Sequence, residues 1–273
     1  MQLAETALNV TRVARTAVAS RRFDRLAPLG QSASGQEYFN MRQAMSLDPR
    51  MGKWISRVVH RTPGATAPSI PQPLNTRFAD LAEVGTAVRG VENDGYYVFT
   101  RTAAPEVVEA LRTFAEKVPC TARGSGTGPE VYPRTSPSVG RYDIEEQDAL
   151  ACPEVQEFAT DPLLALVAER YLKQSVIMDE VAFWWTTSKR AEDANLNAQL
   201  FHQDRDRLSF LKFFIYLTDV TPDSGPHVYL RGSHRHIPRS LRADGRMTDD
   251  AVRSAGLWDN VRELAGPAGT ILA

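Results

Sequence analysis

The stretch Phe201-His202-Gln203-Asp204-Arg205-Asp206, with the strand formers behind it, constrains this chain more than any other part of its sequence. Residues 208–220 are rich in aromatic and β-branched side chains. A turn follows, then a second short strand pattern over residues 225–234. Strand side chains alternate between faces, so His202 and Asp204, two residues apart, leave the same face with Cα atoms roughly 6.7 Å apart. An imidazole and a carboxylate placed this way can grip one metal ion together. Asp206 shares that parity if the strand continues, as a supporting hydrogen-bond partner or as a simple turn carboxylate. His-x-Asp alone is a weak signal, and its bland reading is a surface loop.

The flanks carry more information. Phe201-His202-Gln203-Asp204, then Leu211-Lys212-Phe213-Phe214-Ile215-Tyr216-Leu217-Thr218-Asp219-Val220, then Asp223-Ser224-Gly225-Pro226-His227-Val228-Tyr229-Leu230-Arg231-Gly232-Ser233-His234-Arg235 closely resemble the phytanoyl-CoA dioxygenase family. The resemblance is dense over these segments and looser from Asp94 onward, where an Asp94-Gly95-Tyr96 turn and a Pro105-Glu106 helix start are similar to the family's entry segment. It implies an Fe(II)- and 2-oxoglutarate-dependent oxygenase that uses O2 on a small-molecule substrate. Two histidines and one carboxylate, with open positions left over, form the ligand set of such non-haem iron sites. His202 and Asp204 match the first two ligands. The resemblance also implies a distal histidine, and an arginine whose planar fork pairs with the far carboxylate of 2-oxoglutarate. Both follow a Gly-x-x-Gly-Thr strand in the family. Here that strand is Gly266-Pro267-Ala268-Gly269-Thr270 and the sequence ends at Ala273, so it reads as cut short of the last ligand and the last two strands.

Other histidines are weaker candidates. His227 and His234 sit at family positions that are not iron ligands and read as structural. His234-Arg235-His236 is also an H-x-H pattern that, with a carboxylate, suits zinc. His60 has no motif partner. Lys212 and Gln199 are candidates to approach the co-substrate. Lys212 reads equally as a solvated lysine, and Gln199 has the wrong parity to share a face with His202. Asp219 reads as the end of its strand.

Secondary-structure patterning gives an α+β class, with helices first and short antiparallel strands after residue 199, as in a jelly roll with helices packed on one sheet. The resemblance implies the double-stranded β-helix (cupin-like) form of that roll. Residues 1–85 read as a helical extension and linker, and residues 86–273 as the oxygenase domain. In the extension, Leu3, Ala7, Val10, Val13, Ala14 and Ala17 suit one helical stripe. Residues 37–60 hold a second helix pattern, and residues 62–74 read as a Pro/Gly linker. No motif chemistry is visible there, which leaves packing on the core or dimer contacts.

In the core, Pro105 and Asp161-Pro162 open two helices, and residues 175–187 read as a strand. Phe183 or Trp185 is a candidate pocket wall, although aromatic side chains are first of all core. The glycines of residues 124–128 lack the strand and helix that a phosphate loop needs. Residues 121–140 read as a lid.

Charge and composition exclude other classes. Lys+Arg is 32 against Asp+Glu 33, so no basic excess exists to neutralise nucleic-acid phosphates. Two cysteines, Cys120 and Cys152, are too few for a disulfide framework and suit a reducing cytoplasm. No apolar run reaches the length of a membrane span. A jelly-roll binding or scaffold protein without oxygenase activity is the rival from another class.

Overall fold

The computed structural model describes residues 9–19, 35–59, 75–187, 200–243 and 245–273. Residues 9–19 are helical (α1), within the expected N-terminal helix. The elements after it are α2 (Gly35–Met45), α3 (Met51–Val59), α4 (Leu81–Asp94), α5 (Pro105–Ala115), β1 (Pro119–Ala122), β2 (Glu130–Val131) and β3 (Arg141–Ile144). Next come α6 (Glu146–Ala149), α7 (Pro153–Ala159), α8 (Pro162–Leu172), β4 (Phe183–Thr186), β5 (Phe201–His202), β6 (Phe214–Ile215) and β7 (His227–Leu230). The chain closes with β8 (Arg246–Met247), α9 (Asp249–Ser254), β9 (Val261–Leu264) and β10 (Ile271–Leu272). The expected linker over residues 62–74, His60 and Gln199 lie outside the described residues.

The chain divides into two compact units. The first combines Met1–Ala67, His202–Leu211 and Leu230–Asn260. The second combines Pro68–Phe201, Lys212–Tyr229 and Val261–Ala273.

In the second unit, α4 packs on α8. Val84, Ala87 and Val91 are buried from one helix, and Leu163, Leu164, Val167 and Tyr171 from the other. The start of α8 is set locally. Asp161 is buried, and its carboxylate accepts hydrogen bonds from the Leu163 and Leu164 amides, both at 2.9 Å. That satisfies two of the amides a helix start leaves orphaned. α5 starts at Pro105, as read from sequence, and buries Val107, Val108, Leu111 and Ala115.

A four-stranded sheet runs in the order β2-β1-β3-β4, and its pairings are antiparallel. Trp185 of β4 stacks nearly parallel on Tyr132 at 4.8 Å and donates from Nε1 to the Ala115 carbonyl. Phe183 and Trp185 both pack against the core around Tyr142 and Ile144. Trp185 is therefore core rather than pocket wall.

β10 pairs antiparallel with β6, Ile271 opposite Ile215 and Leu272 opposite Phe214. On its other side it meets the expected Asp94–Phe99 segment. Leu272 bridges Val98, while Tyr97 and Ala273 exchange two backbone hydrogen bonds at 2.9 and 2.8 Å. Ile271 and Leu272 are buried between these neighbours. β7 pairs with β9, and Val220 bridges Gly266. The result is a mixed fold of helices and antiparallel strands. Its strands are shorter than the patterning suggested: within residues 208–220 only Phe214–Ile215 forms a ladder strand, and within residues 175–187 only Phe183–Thr186 does.

The first unit contains α2, α3, β8 and α9. The single helix read over residues 37–60 is two helices, broken at residues 46–50. At the break the Asp48 carboxylate takes the Arg50 amide at 2.9 Å and its guanidinium at 3.0 Å. This is a local turn that competes with helix continuation.

Candidate metal centre

His202 closes β5, which forms a two-stranded ladder with β8. The chain stays open after it, and alternate side chains meet opposite surroundings, as strand geometry requires. Gln203 and Arg205 face inward. The Gln203 amide donates to the Leu241 carbonyl at 2.8 Å. Arg205 is 1% exposed, and its Nη2 donates to Gln203 Oε1 at 2.8 Å and to the Arg242 carbonyl at 2.7 Å. His202 and Asp204 take the other side, with side chains 28% and 38% exposed. His202 Nε2 lies 3.3 Å from Asp204 Oδ1.

That separation fits a shared metal ion. Nitrogen and oxygen ligands sit about 2.0–2.2 Å from a first-row divalent metal, so two adjacent ligands at a right angle lie about 3 Å apart. The pair provides one neutral nitrogen and one anionic oxygen, the donor types that suit Fe(II). The residues present fit part of such a centre. Among the described residues, no three His, Cys, Asp or Glu side chains converge as a metal-binding group.

The other histidines are placed as follows. The His227 ring packs on Phe214 at 4.5 Å, and its amide donates to the Tyr216 hydroxyl at 3.3 Å. Tyr216 in turn donates to the Leu264 carbonyl at 2.7 Å, and burial pushes its phenol pKa up. His234 is half-buried and His236 exposed. Lys212 is exposed and belongs to the second unit. Asp219 Oδ1 accepts from the Ala268 amide at 2.9 Å; the strand that the sequence ended at Asp219 stops at Ile215. The glycine-rich loop borders a cavity of about 470 Å3 lined by Arg123, Arg141, Asp143 and Glu180, among others; His202 and Asp204 are not part of that lining.

Sequence reasoning missed the support behind the motif. Tyr38 of α2 donates its hydroxyl to Asp206 Oδ1 at 2.9 Å. Arg42, one turn on, donates to the Tyr38 oxygen at 2.9 Å and lies 3.7 Å from Asp206 Oδ1. Burial, then the hydrogen bond to Asp206, raises the Tyr38 pKa. These partners are 168 residues apart in sequence, and no local pattern announces them.

The sequence model of the phytanoyl-CoA dioxygenase (PhyH) family matches residues 91–270, well over half of the chain. The match spans the His202-x-Asp204 motif and the Gly266–Thr270 segment. The chain belongs to the phytanoyl-CoA dioxygenase family. No curated protein and no solved structure matches it. A phytanoyl-CoA dioxygenase family member has an oxygenase-type function dependent on Fe(II) and 2-oxoglutarate, on a cupin or jelly-roll fold. No helix among the described residues is long and apolar enough to cross a membrane. α2, which carries Tyr38 and Arg42, lies outside the matched range, as does α3.

Proposed function

We propose that this phytanoyl-CoA dioxygenase family member oxidises a C–H bond of a small-molecule substrate, in the cytoplasm, with His202 and Asp204 as two of its iron ligands. The observation that carries the reading is the 3.3 Å approach of His202 Nε2 to Asp204 Oδ1 on one side of an open segment, inside the family match. The catalytic domain is the jelly roll of residues 86–273.

Fe(II) with 2-oxoglutarate and O2 supplies the oxidation, releasing succinate and CO2. The chain's residues prepare for it. His202 must present Nε2 without its proton, and Asp204 must be anionic, because metal ligation requires deprotonated donors. Asp204 would neutralise one charge of a bound dication. Gln203 between the two ligands and Arg205 just after them fasten the backbone on its inward face, so both donors stay on the solvent-open side. The chemistry belongs to the metal and co-substrate, and the protein supplies binding and orientation.

Purified protein, incubated with Fe(II), ascorbate, 2-oxoglutarate and O2, should release succinate, faster when a true substrate is added. His202→Ala and Asp204→Ala should each abolish that release. Succinate formation by either variant at the wild-type rate would refute the assignment. No succinate under any condition would favour the non-catalytic binding protein.

A further inference from the structure

We infer that the N-terminal helices α2 and α3 are a positioning element for the His202/Asp204 centre, gripping the segment 202–208 from behind through Tyr38, Gly52 and Arg242. This rests on the metal-centre reading and adds a role for residues outside the matched family range.

The need for such a device follows from the local structure. β5 is two residues long and its ladder has one partner strand. So short a strand fixes little by itself, whereas a pair of ligands must be held closely to bind a metal well. Three contacts within the same compact unit supply the missing constraint.

First, the Tyr38 hydroxyl holds Asp206, two residues beyond Asp204, with Arg42 behind it. Second, α3 lies directly on the segment's backbone. A Cβ on Gly52 would come within 2.0 Å of the Leu208 carbonyl oxygen. Only a residue without a side chain allows that approach, so Gly52 sets how closely the helix and the segment pack. Third, the turn between α2 and α3 reaches the motif through Arg242. Its Nη1 donates to the Leu47 carbonyl at 2.7 Å and its Nε to the Ile237 carbonyl at 3.0 Å. The Arg242 carbonyl takes the hydrogen bond from Arg205. The inward face of the motif is thereby tied to the same two helices that hold its far end.

Second-layer partners of metal ligands typically change affinity 10–100-fold when removed. Tyr38 acts through Asp206 rather than on a ligand, so the lower end of that range applies. The test uses the full chain titrated with Co(II), a spectroscopic stand-in for Fe(II), with the visible bands reporting ligand geometry. Tyr38→Phe should weaken Co(II) binding by about tenfold. Gly52→Ala should alter the bands as well as the affinity, because the backbone at Leu208 must move. Tyr142→Phe serves as control. It removes the hydroxyl of a more deeply buried tyrosine, which accepts from the Ser138 amide at 2.6 Å in the other unit, and should bind Co(II) like wild type. Wild-type affinity and bands in both Tyr38→Phe and Gly52→Ala would overturn the inference. So would an equal loss in Tyr142→Phe, which would mean that general stability governs binding. If wild type itself takes up no Co(II), the metal-centre reading falls and the inference falls with it.

Discussion

Arg205→Met tests the reasoning about the motif's inward face. Arg205 is the largest fully buried side chain of the described residues. A buried guanidinium persists only if its hydrogen bonds offset the loss of water around the charge. Two of those bonds run from Nη2, at 2.8 Å to Gln203 and 2.7 Å to the Arg242 carbonyl. Each hydrogen bond from a charged donor contributes about 1.5–3 kcal/mol, and a stranded buried acceptor costs about 1–3 kcal/mol more. Methionine returns part of this, because an apolar chain of similar length needs no solvation. Both of these acceptors are neutral oxygens. The net loss should be about 2–3 kcal/mol. For a chain of this size that lowers Tm by roughly 4–12 °C. Thermal unfolding followed by circular dichroism reads it directly. Arg205→Lys should fall between wild type and Met, since a point-like ammonium cannot reproduce the planar fork. A Met variant as stable as wild type would show that the guanidinium does not fasten this segment.

Two further outcomes follow from the second unit. Tyr97 donates to Glu83 Oε1 at 2.8 Å, and burial first, then that hydrogen bond, push its pKa up to about 12. An unfolded tyrosine ionises near pH 10, so the contribution is complete below about pH 10 and lost as pH rises toward 12. The Tm of wild type should therefore fall more steeply than that of Tyr97→Phe between those values, and parallel curves would contradict the assignment. Asp161→Ala removes the acceptor for two amides of α8 and should cost about 1–2 kcal/mol. Denaturant unfolding should show that loss, hydrogen exchange should show faster Leu163 and Leu164 amides, and an unchanged midpoint would count against the cap.

The sequence revealed what depends on neighbours along the chain. Pro105 and Asp161-Pro162 marked two helix starts because caps act within one turn. His202 and Asp204 were legible because a two-residue period puts both on one face. α4 was not legible. Gly85 and Gly90 lower its helix propensity, yet Gly90 is there because a Cβ would meet the Tyr97 ring at 2.6 Å, a contact that exists only after folding. Strand extents were overestimated for the same reason: Phe214–Ile215 is a strand because β10 lies beside it, and beyond it the pairing loosens to hydrogen bonds of Tyr216 with Gly269 and Thr270 and a single bridge from Val220 to Gly266. The grip of Tyr38 and Gly52 on the motif had no local signature at all, and the extension that carries them read as chemically silent.

The measurement closest to the central claim is anaerobic Fe(II) binding to the purified protein, compared with the double variant His202→Ala/Asp204→Ala. The account predicts one iron per chain for wild type and none for the variant at the same free-metal concentration, with both equally folded. Equal iron in the two proteins would place the metal elsewhere and contradict it.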